Sequence, residues 1–257
     1  MSIKLSFGEG SSPVLFNDKI VVNWDHYGQS FIIALDKKTG QELWKVARDE
    51  KTSWATPLIV ESNGQPQVIT SATSQVRSYD LATGELLWES SGMTRNVIPT
   101  PVAANDIVYV MSGFRGNALQ AINLSEAKGN IAGSKALVWT LDLDTPYTPS
   151  PLLYDDRLYF LKSNDGTLSC FNATTGEEYY SRQRLKGIGG VYASPVGVKK
   201  RIYIASLNGT TQVIKHDTQY EILAINTLED SFSASPVVVG NELYLRGAKH
   251  LYCIAEK

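Results

Sequence analysis

The chain has 257 residues, of which 43% are apolar and 19% charged, and its formal net charge is −2. This balance predicts a folded protein with a sizeable core and excludes an intrinsically disordered chain. The near-neutral charge argues against a nucleic-acid partner, and no apolar run approaches the roughly 18 residues that a membrane span needs. Residues 1–10 have neither the basic start nor the apolar core of a signal peptide.

A Ser-Pro or Thr-Pro dipeptide recurs six times along the chain. The prolines are Pro13, Pro57, Pro101, Pro151, Pro195 and Pro236, with spacings of 44, 44, 50, 44 and 41 residues. Two short β-rich runs separated by a polar turn follow, as in PVLFNDKIVV and PLLYDDRLYF. This pattern predicts an antiparallel hairpin at the start of each repeat.

A second pattern follows in phase and consists of an Asx residue, a Thr-Gly pair and a large aromatic residue. It reads FIIALDKKTGQELW from Phe31, VRSYDLATGELLW from Val76 and LSCFNATTGEEYY from Leu168. The Asx side chain can bond its own turn, and the glycine can adopt the positive φ of a hairpin. The aromatic residues are Trp44, Trp88, Trp139 (after a longer excursion, 125–135) and Tyr180. Because they recur in phase, we expect them to pack between neighbouring repeats.

Each repeat of about 44 residues therefore holds four short strands, and repeats of this kind form β-propellers. We predict an all-β, six-bladed propeller as a single domain over residues 1–257. The predicted blades are 13–56, 57–100, 101–150, 151–194, 195–235, and 236–257 together with 1–12. In this prediction the strand Ile3–Phe7 closes the last blade. The alternative is that the chain is the C-terminal part of a longer propeller.

These residues resemble the pyrroloquinoline-quinone-like repeat propellers, the quinoprotein alcohol dehydrogenase-like family, over Ser11–Lys257. In the dehydrogenases of that family, the quinone stacks between a Trp and a disulfide of adjacent cysteines, with Ca²⁺ held by Glu, Asn and Asp. Here Cys170 and Cys253 are far apart in sequence, and no calcium-loop motif is present. We therefore expect neither pyrroloquinoline quinone nor Ca²⁺. Both cysteines occupy the small-residue column and are expected to be free thiols in tight slots. Longer relatives are often exported, whereas this chain shows no export signal.

The predicted blade topology sorts the loops onto two faces. One face has ordinary turn residues, whereas the other has long connections rich in charged and aromatic residues. The candidate binding residues on that second face, at the predicted channel mouth, are Asp25, His26, Arg48, Asp49, Glu50, Trp54, Arg95, Asn96, Arg115, Tyr147, Tyr192 and Arg246. Arginine and aromatic side chains on rigid loops are the usual anchors of recognition.

Two interpretations of these residues remain open. They form either a binding surface or a network of salt bridges without a ligand. We favour a non-catalytic binding or scaffold protein, expected to be a monomer, whose partner is a small molecule, a carbohydrate or a protein. The alternative is an enzyme, either a quinone-dependent dehydrogenase or a hydrolase or lyase that uses Asp25, His26 and Glu50.

Overall fold

The structure is a computed structural model that describes residues 8–255. The predicted closing strand, Ile3–Phe7, lies outside the described residues. Residues 8–255 contain 24 strands and no helix, so the all-β prediction is confirmed. Residues 8–255 therefore contain no helix that could cross a membrane. The chain divides into two compact units, Met1–Leu143 and Asp144–Lys257.

The first unit contains three antiparallel sheets, and each sheet follows the chain order of its strands. Sheet 1 consists of β1 (Val14–Phe16), β2 (Lys19–Trp24), β3 (Ser30–Asp36) and β4 (Glu42–Arg48). Sheet 2 consists of β5 (Leu58–Ser62), β6 (Gln65–Ser71), β7 (Gln75–Asp80) and β8 (Leu86–Ser91). Sheet 3 consists of β9 (Val102–Ala104), β10 (Ile107–Ser112), β11 (Ala118–Asn123) and β13 (Leu137–Leu141), with β12 (Gly129–Asn130) in the intervening segment.

The second unit also contains three antiparallel sheets. Sheet 4 consists of β14 (Leu152–Tyr154), β15 (Arg157–Leu161), β16 (Thr167–Asn172) and β17 (Glu178–Arg184). Sheet 5 consists of β18 (Val196–Val198), β19 (Arg201–Ala205), β20 (Thr210–Lys215) and β21 (Ile222–Thr227). Sheet 6 has three described strands, β22 (Val237–Val239), β23 (Glu242–Arg246) and β24 (Leu251–Ala255).

The Asx–Thr-Gly segments form the turns that the sequence predicts. The Oδ1 atom of Asp36 accepts hydrogen bonds from the backbone N–H of Lys38 at 3.0 Å and of Thr39 at 2.8 Å. Gly40 adopts a φ of 72°, in the left-handed region that favours glycine. These local bonds fix the turn between β3 and β4, and this turn sets the register that brings Trp44 opposite Ala34.

Three of the in-phase aromatic residues, Trp44, Trp88 and Tyr180, are buried against the next sheet, as predicted. In sheet 1, Val21, Ala34 and Trp44 form a row across β2, β3 and β4. Trp44 is buried against Val68 and other residues of sheet 2, and its Nε1–H donates to the carbonyl of Leu81 at 3.0 Å. The aromatic ring thus joins one sheet to the next through both apolar contact and a hydrogen bond.

The excursion between β11 and β13 is part of this packing. Its strand β12 pairs in parallel with Trp88 and Glu89 of β8 and so adds a fifth strand to sheet 2. Ile131, directly after β12, is fully buried in the same apolar cluster as Trp88. The excursion therefore covers the outer edge of sheet 2, which would otherwise expose unpaired backbone groups.

The two cysteines are free thiols, as predicted, but they do not share one environment. Cys170 is fully buried between Tyr159 and Tyr180 in the cross-strand row of sheet 4. Burial raises the pKa of its thiol to about 12. Cys253 on β24 is exposed. The expectation of a tight slot was therefore wrong for Cys253, because no described side chain covers that face of β24 as Tyr180 covers Cys170.

Candidate functional site

The loops at one end of sheets 1–3 are joined to one another by hydrogen bonds. We call the segments 25–29, 49–57, 72–74, 92–101 and 113–117 the loop-rich face of the first unit. The bonds run from Ser30 Oγ to Glu50 O (2.8 Å), Thr73 Oγ1 to Thr52 O (2.7 Å), Trp54 N to Val97 O (2.7 Å), Asn96 N to Thr73 Oγ1 (3.1 Å) and Thr94 N to Ser112 Oγ (2.9 Å). These bonds hold the loops of three sheets together as one surface.

Asp25 and Arg48 form a buried ion pair behind this face. Asp25 follows β2 directly, and Arg48 is the last residue of β4. Arg48 donates from Nε to Oδ1 at 2.8 Å and from Nη2 to Oδ2 at 3.1 Å, and both side chains are completely buried. Ser53 Oγ and Asn23 Nδ2 also donate to Oδ2, at 2.7 and 3.1 Å. Four donors contact this carboxylate, one at Oδ1 and three at Oδ2. Because its side chain is completely buried, Asp25 has no exposed surface from which to act as a general base.

Arg48 also ties sheet 1 to sheet 2. Its Nη1 donates to Thr70 Oγ1 at 3.0 Å and to the hydroxyl of Tyr79 at 2.5 Å. Burial alone would lower the pKa of Arg48, but the Asp25 carboxylate outweighs burial and raises the pKa above its usual value. The guanidinium therefore stays charged and acts as a fixed link between two sheets.

Glu50 forms a second buried ion pair on the same face. Its Oε1 accepts a hydrogen bond from Arg77 Nη1 at 2.9 Å, and its Oε2 accepts one from the backbone N–H of Ser74 at 3.2 Å. Arg77 also donates from Nε to Glu89 at 3.2 Å. Burial raises the pKa of Glu50, and the nearby Arg48 and Arg77 oppose this rise. The Glu50 carboxyl is enclosed by its partners and has no exposed surface from which to reach a substrate.

The structure does not assemble Asp25, His26 and Glu50 into a catalytic set. The His26 ring accepts a hydrogen bond at Nδ1 from the N–H of Gly28 at 3.0 Å, so it is used within its own turn. No hydrogen bond joins the His26 ring to the Asp25 carboxylate within residues 8–255. Asp49, between the buried Arg48 and Glu50, is exposed, because successive residues point in opposite directions in extended chain.

Trp54 and Asn96 take part in the framework of this face. The Trp54 Nε1–H donates to the carbonyl of Gly8 at 3.0 Å. A Cβ atom on Gly10 would lie 3.0 Å from Cδ1 of Trp54, so the segment 8–10 crosses closely over the indole. Asn96 adopts a left-handed φ of 54°, and its backbone N–H is held by Thr73. Both residues therefore shape the surface.

Arg95 and Arg115 are the exposed cations of this set. Arg115 adopts a φ of 55°, which is uncommon for a residue with a long side chain. Its guanidinium lies 5.3 Å from the ring centroid of Phe114. A Cβ atom on Gly116, in the same turn, would lie 3.0 Å from Cγ2 of Thr94, so this turn packs closely against Thr94. Neither arginine forms an ion pair with any residue in 8–255, so both guanidinium groups face solvent.

The remaining three candidates lie in the second unit. Tyr147 is half-buried, and its backbone N–H donates to the carbonyl of Ser163 at 3.1 Å. Burial, and then Tyr192, raise the pKa of Tyr147. Tyr192 is 46% exposed, and Arg246, the last residue of β23, is exposed as well.

Sequence reasoning missed three residues that hold the site together, namely Ser53, Arg77 and Tyr79. Tyr79 and Arg77 share one face of β7 by the two-residue period of a strand. A cation and a phenol at alternate positions of a predicted inner strand are a detectable signal. Ser53 carries no such signal, because its contact with Asp25 depends on how the 49–57 loop folds back.

The repeated sheets of this chain match a known protein family. The family described as outer membrane protein assembly factor BamB matches residues 28–257 of the chain. The chain belongs to the BamB/PQQ-like repeat β-propeller family. No curated protein sequence gives a significant match.

Three solved structures illustrate the likeness. BamB from Moraxella catarrhalis is 20% identical with a TM-score of 0.49, covering 91% of this chain and 78% of that one. The computationally designed Ika8 protein is 17% identical with a TM-score of 0.66, covering 95% and 70%. The quinohemoprotein alcohol dehydrogenase from Comamonas testosteroni is 12% identical with a TM-score of 0.57, covering 86% of this chain and 43% of the enzyme. At these identities the likeness concerns the fold alone.

Proposed function

We propose that the protein is a non-catalytic scaffold that binds a protein partner on its loop-rich face. The observation that carries this proposal is that the acidic residues best suited to catalysis are buried in ion pairs on that face. The acids suited to acid–base chemistry, Asp25 and Glu50, are buried and paired with Arg48 and Arg77. A group saturated by ion pairs stabilises a surface but cannot exchange protons with a substrate that it does not reach. The family description as an assembly factor supports a protein as the partner.

The exposed charges of the face indicate what the partner carries. Lys51, Arg95 and Arg115 are exposed, with Asp49 beside Lys51. Exposed arginines on a rigid loop framework bind carboxylates through paired N–H donors. The partner is therefore a protein segment with acidic side chains, and complementary charge speeds its association.

The scaffold works, in this proposal, without pyrroloquinoline quinone or Ca²⁺. Cys170 is buried in sheet 4 and Cys253 is exposed in sheet 6, so the pair cannot supply the disulfide of adjacent cysteines that cradles the quinone. Among residues 8–255, no group of three or more His, Cys, Asp or Glu side chains is placed to hold a metal ion. The residues present therefore do not fit the cofactor of the dehydrogenases.

The scaffold itself is proposed to be a closed ring of six blades. Each of the six sheets would be one blade, and Ile3–Phe7 would pair with β24 as the fourth strand of sheet 6. Such pairing removes the edge of sheet 6. The exposed thiol of Cys253 on β24 provides a direct test of this arrangement.

Single cysteines are placed at each of the five positions 3–7, and we expect those at alternate positions to form a disulfide with Cys253. Directly opposite residues in an antiparallel pair have Cα atoms about 4.5–5.5 Å apart, within the range of a disulfide. The measurement is non-reducing mass spectrometry after mild oxidation, in a Cys170→Ser background. The matched control carries Cys253→Ser as well. If none of the five positions cross-links above the control, this closure is wrong.

The scaffold function is tested by site-specific photo-cross-linking in cells. A photoreactive amino acid at Asn117, in the same turn as Arg115, is expected to give a defined protein adduct. The same probe at Lys38, in the turn between β3 and β4, is expected to give none. In the Arg95→Ala/Arg115→Ala variant the Asn117 adduct should fall by up to about thirtyfold, since each of the two exposed charge pairs contributes up to about 1 kcal/mol.

The arginine variant also controls for misfolding. Because both side chains are exposed, its thermal midpoint should stay within about 2 °C of the parent. An adduct that forms in this variant with the same yield as in the parent contradicts the proposed face. Stoichiometric uptake of pyrroloquinoline quinone with Ca²⁺, followed by dye reduction, would instead establish the dehydrogenase alternative.

A further inference from the structure

The fifth sheet departs from the cross-strand row of sheets 1–4, in which the fourth strand contributes a large aromatic residue. The row across the second, third and fourth strands is Ile69, Ser78, Trp88 in sheet 2 and Tyr159, Cys170, Tyr180 in sheet 4. In sheet 5 the same row is Tyr203, Val213 and Ala224. Ala224 therefore stands where the equivalent residues of sheets 1–4 are Trp44, Trp88, Trp139 and Tyr180.

The missing aromatic side chain coincides with an open cleft. The space between sheets 5 and 6 forms a cleft of about 1010 Å³, at the upper end of the roughly 300–1,000 Å³ of ligand pockets. Its walls are Val213 and Ala224 on one side and Val238, Leu243 and Ile254 on the other. Between sheets 4 and 5, by contrast, Tyr180 and the isoleucines of β19 and β20 form a closed apolar cluster.

A buried hydroxyl in the cleft lacks a hydrogen-bond partner. Thr211 lies on the same face of β20 as Val213 and lines the cleft. Thr211 is only 5% exposed, and its Oγ1 has no hydrogen-bond partner among the described residues. A buried polar atom of this kind costs about 1–3 kcal/mol unless something satisfies it. The wall of the cleft thus contains one unpaired polar group beside its apolar residues.

The charged residues of the cleft favour an anion. Arg201 lines it and forms no ion pair with any residue in 8–255. Lys199 also lines it, with Nζ 2.7 Å from Oδ1 of Asn241. Glu242 is the acid of the lining, and its Oε2 accepts a hydrogen bond from Tyr244 at 2.5 Å. The ionisable lining thus carries one net positive charge, with the Arg201 guanidinium unpaired.

We propose that this cleft is a binding site for a small planar aromatic molecule that carries an anionic group. Its ring occupies the space that an aromatic side chain fills in the other sheets, against Val213, Ala224 and the ring of Tyr203. Its anionic group pairs with Arg201, and a polar substituent reaches Thr211. The site is separate from the proposed partner-binding face of the first unit.

The experiment measures binding of 2-naphthoate to the full chain by isothermal titration calorimetry. We expect saturable binding of one molecule per chain. The neutral analogue 2-naphthalenemethanol and the non-aromatic cyclohexanecarboxylate should each bind at least about tenfold more weakly. These two analogues separate the contribution of the charge from that of the ring.

Three variants link the binding to the cleft. Ala224→Trp should fill the cleft, abolish binding and raise the thermal midpoint, because it restores the row of the other sheets. Ala224→Phe provides the same test with a smaller ring. Arg201→Gln should weaken binding at least about tenfold without changing the thermal midpoint. The matched control is Lys186→Gln, which removes an exposed cation of the same unit outside the cleft and should bind as the parent does.

Several outcomes would overturn the proposal. Equal binding by the parent, Ala224→Phe and Arg201→Gln would show that the probe lies elsewhere. Absence of binding to the parent would show that the cleft does not take this class of ligand. A dimeric parent that becomes monomeric on Ala224→Trp substitution, with no binding of 2-naphthoate, would assign the cleft to a second copy of the chain.

Discussion

Replacing Arg48 with methionine is expected to lower the free energy of unfolding by about 3–5 kcal/mol. The reason is that Asp25 would remain as a buried carboxylate without its cation, with only Ser53 and Asn23 as donors. The bonds from Arg48 to Thr70 and Tyr79 in sheet 2 would also be lost. Urea unfolding followed by tryptophan fluorescence measures the change.

Two further variants separate the charge from the packing. Arg95→Met removes an exposed arginine of the same face and should change stability by no more than about 0.5 kcal/mol. The double variant Asp25→Leu/Arg48→Met should be more stable than Arg48→Met, because no unpaired charge stays buried. If Arg48→Met and Arg95→Met cost the same, the ion pair does not stabilise the fold as proposed.

The repeat pattern made most of the fold predictable from sequence. Asp36, Thr39 and Gly40 are close in sequence, so their turn depends on local chemistry that three residues already specify. The period of the pattern then predicts where Trp44 and Trp88 fall. Local signals repeated in phase reinforce one another, and for this reason the all-β repeat architecture follows without any knowledge of distant contacts.

The candidate site was only partly predictable from sequence, because its buried and exposed charged residues have different roles and the sequence does not show which are buried. Sequence places Asp25, Arg48 and Arg115 on the same predicted face. In the structure, Arg48 shares the inward face of β4 with Trp44 and is buried, whereas Arg115 lies at the tip of a turn and is exposed. The two-residue period from Trp44 predicts the inward face of Arg48. Its acceptor, 23 residues away, depends on how two loops pack and cannot be read from spacing.

Ala224 is a position that only the structure identifies as the equivalent of the aromatic residues in sheets 1–4. The fifth repeat has no Asx–Thr-Gly pattern to mark the turn before β21, so the aromatic column cannot be aligned by eye. The register of β20 and β21 identifies Ala224 as the equivalent of Trp88. With this equivalence known, the cleft beside Ala224 is the space that an aromatic side chain fills in sheets 1–4.

The last prediction concerns that column where it is intact. Trp88→Ala should lower the free energy of unfolding by about 3–5 kcal/mol, because its side chain is fully buried between sheets 2 and 3. The Nε1–H also donates to Gln67 Oε1 at 3.0 Å, and this buried acceptor would lose one of its donors. Urea unfolding measures the change against Leu86→Ala, on the same strand but 46% exposed.

Trp88→Phe distinguishes the two parts of this contribution. Phenylalanine keeps a ring between the sheets but donates no hydrogen bond, so it should cost about 1–2 kcal/mol, well below the alanine variant. Leu86→Ala should cost less than about 1 kcal/mol, since nearly half of its side chain already contacts water. A similar loss in Trp88→Ala and Leu86→Ala would contradict the role of the aromatic row. The ring of Trp88 joins two sheets through buried area, whereas Leu86 contributes only to its own strand.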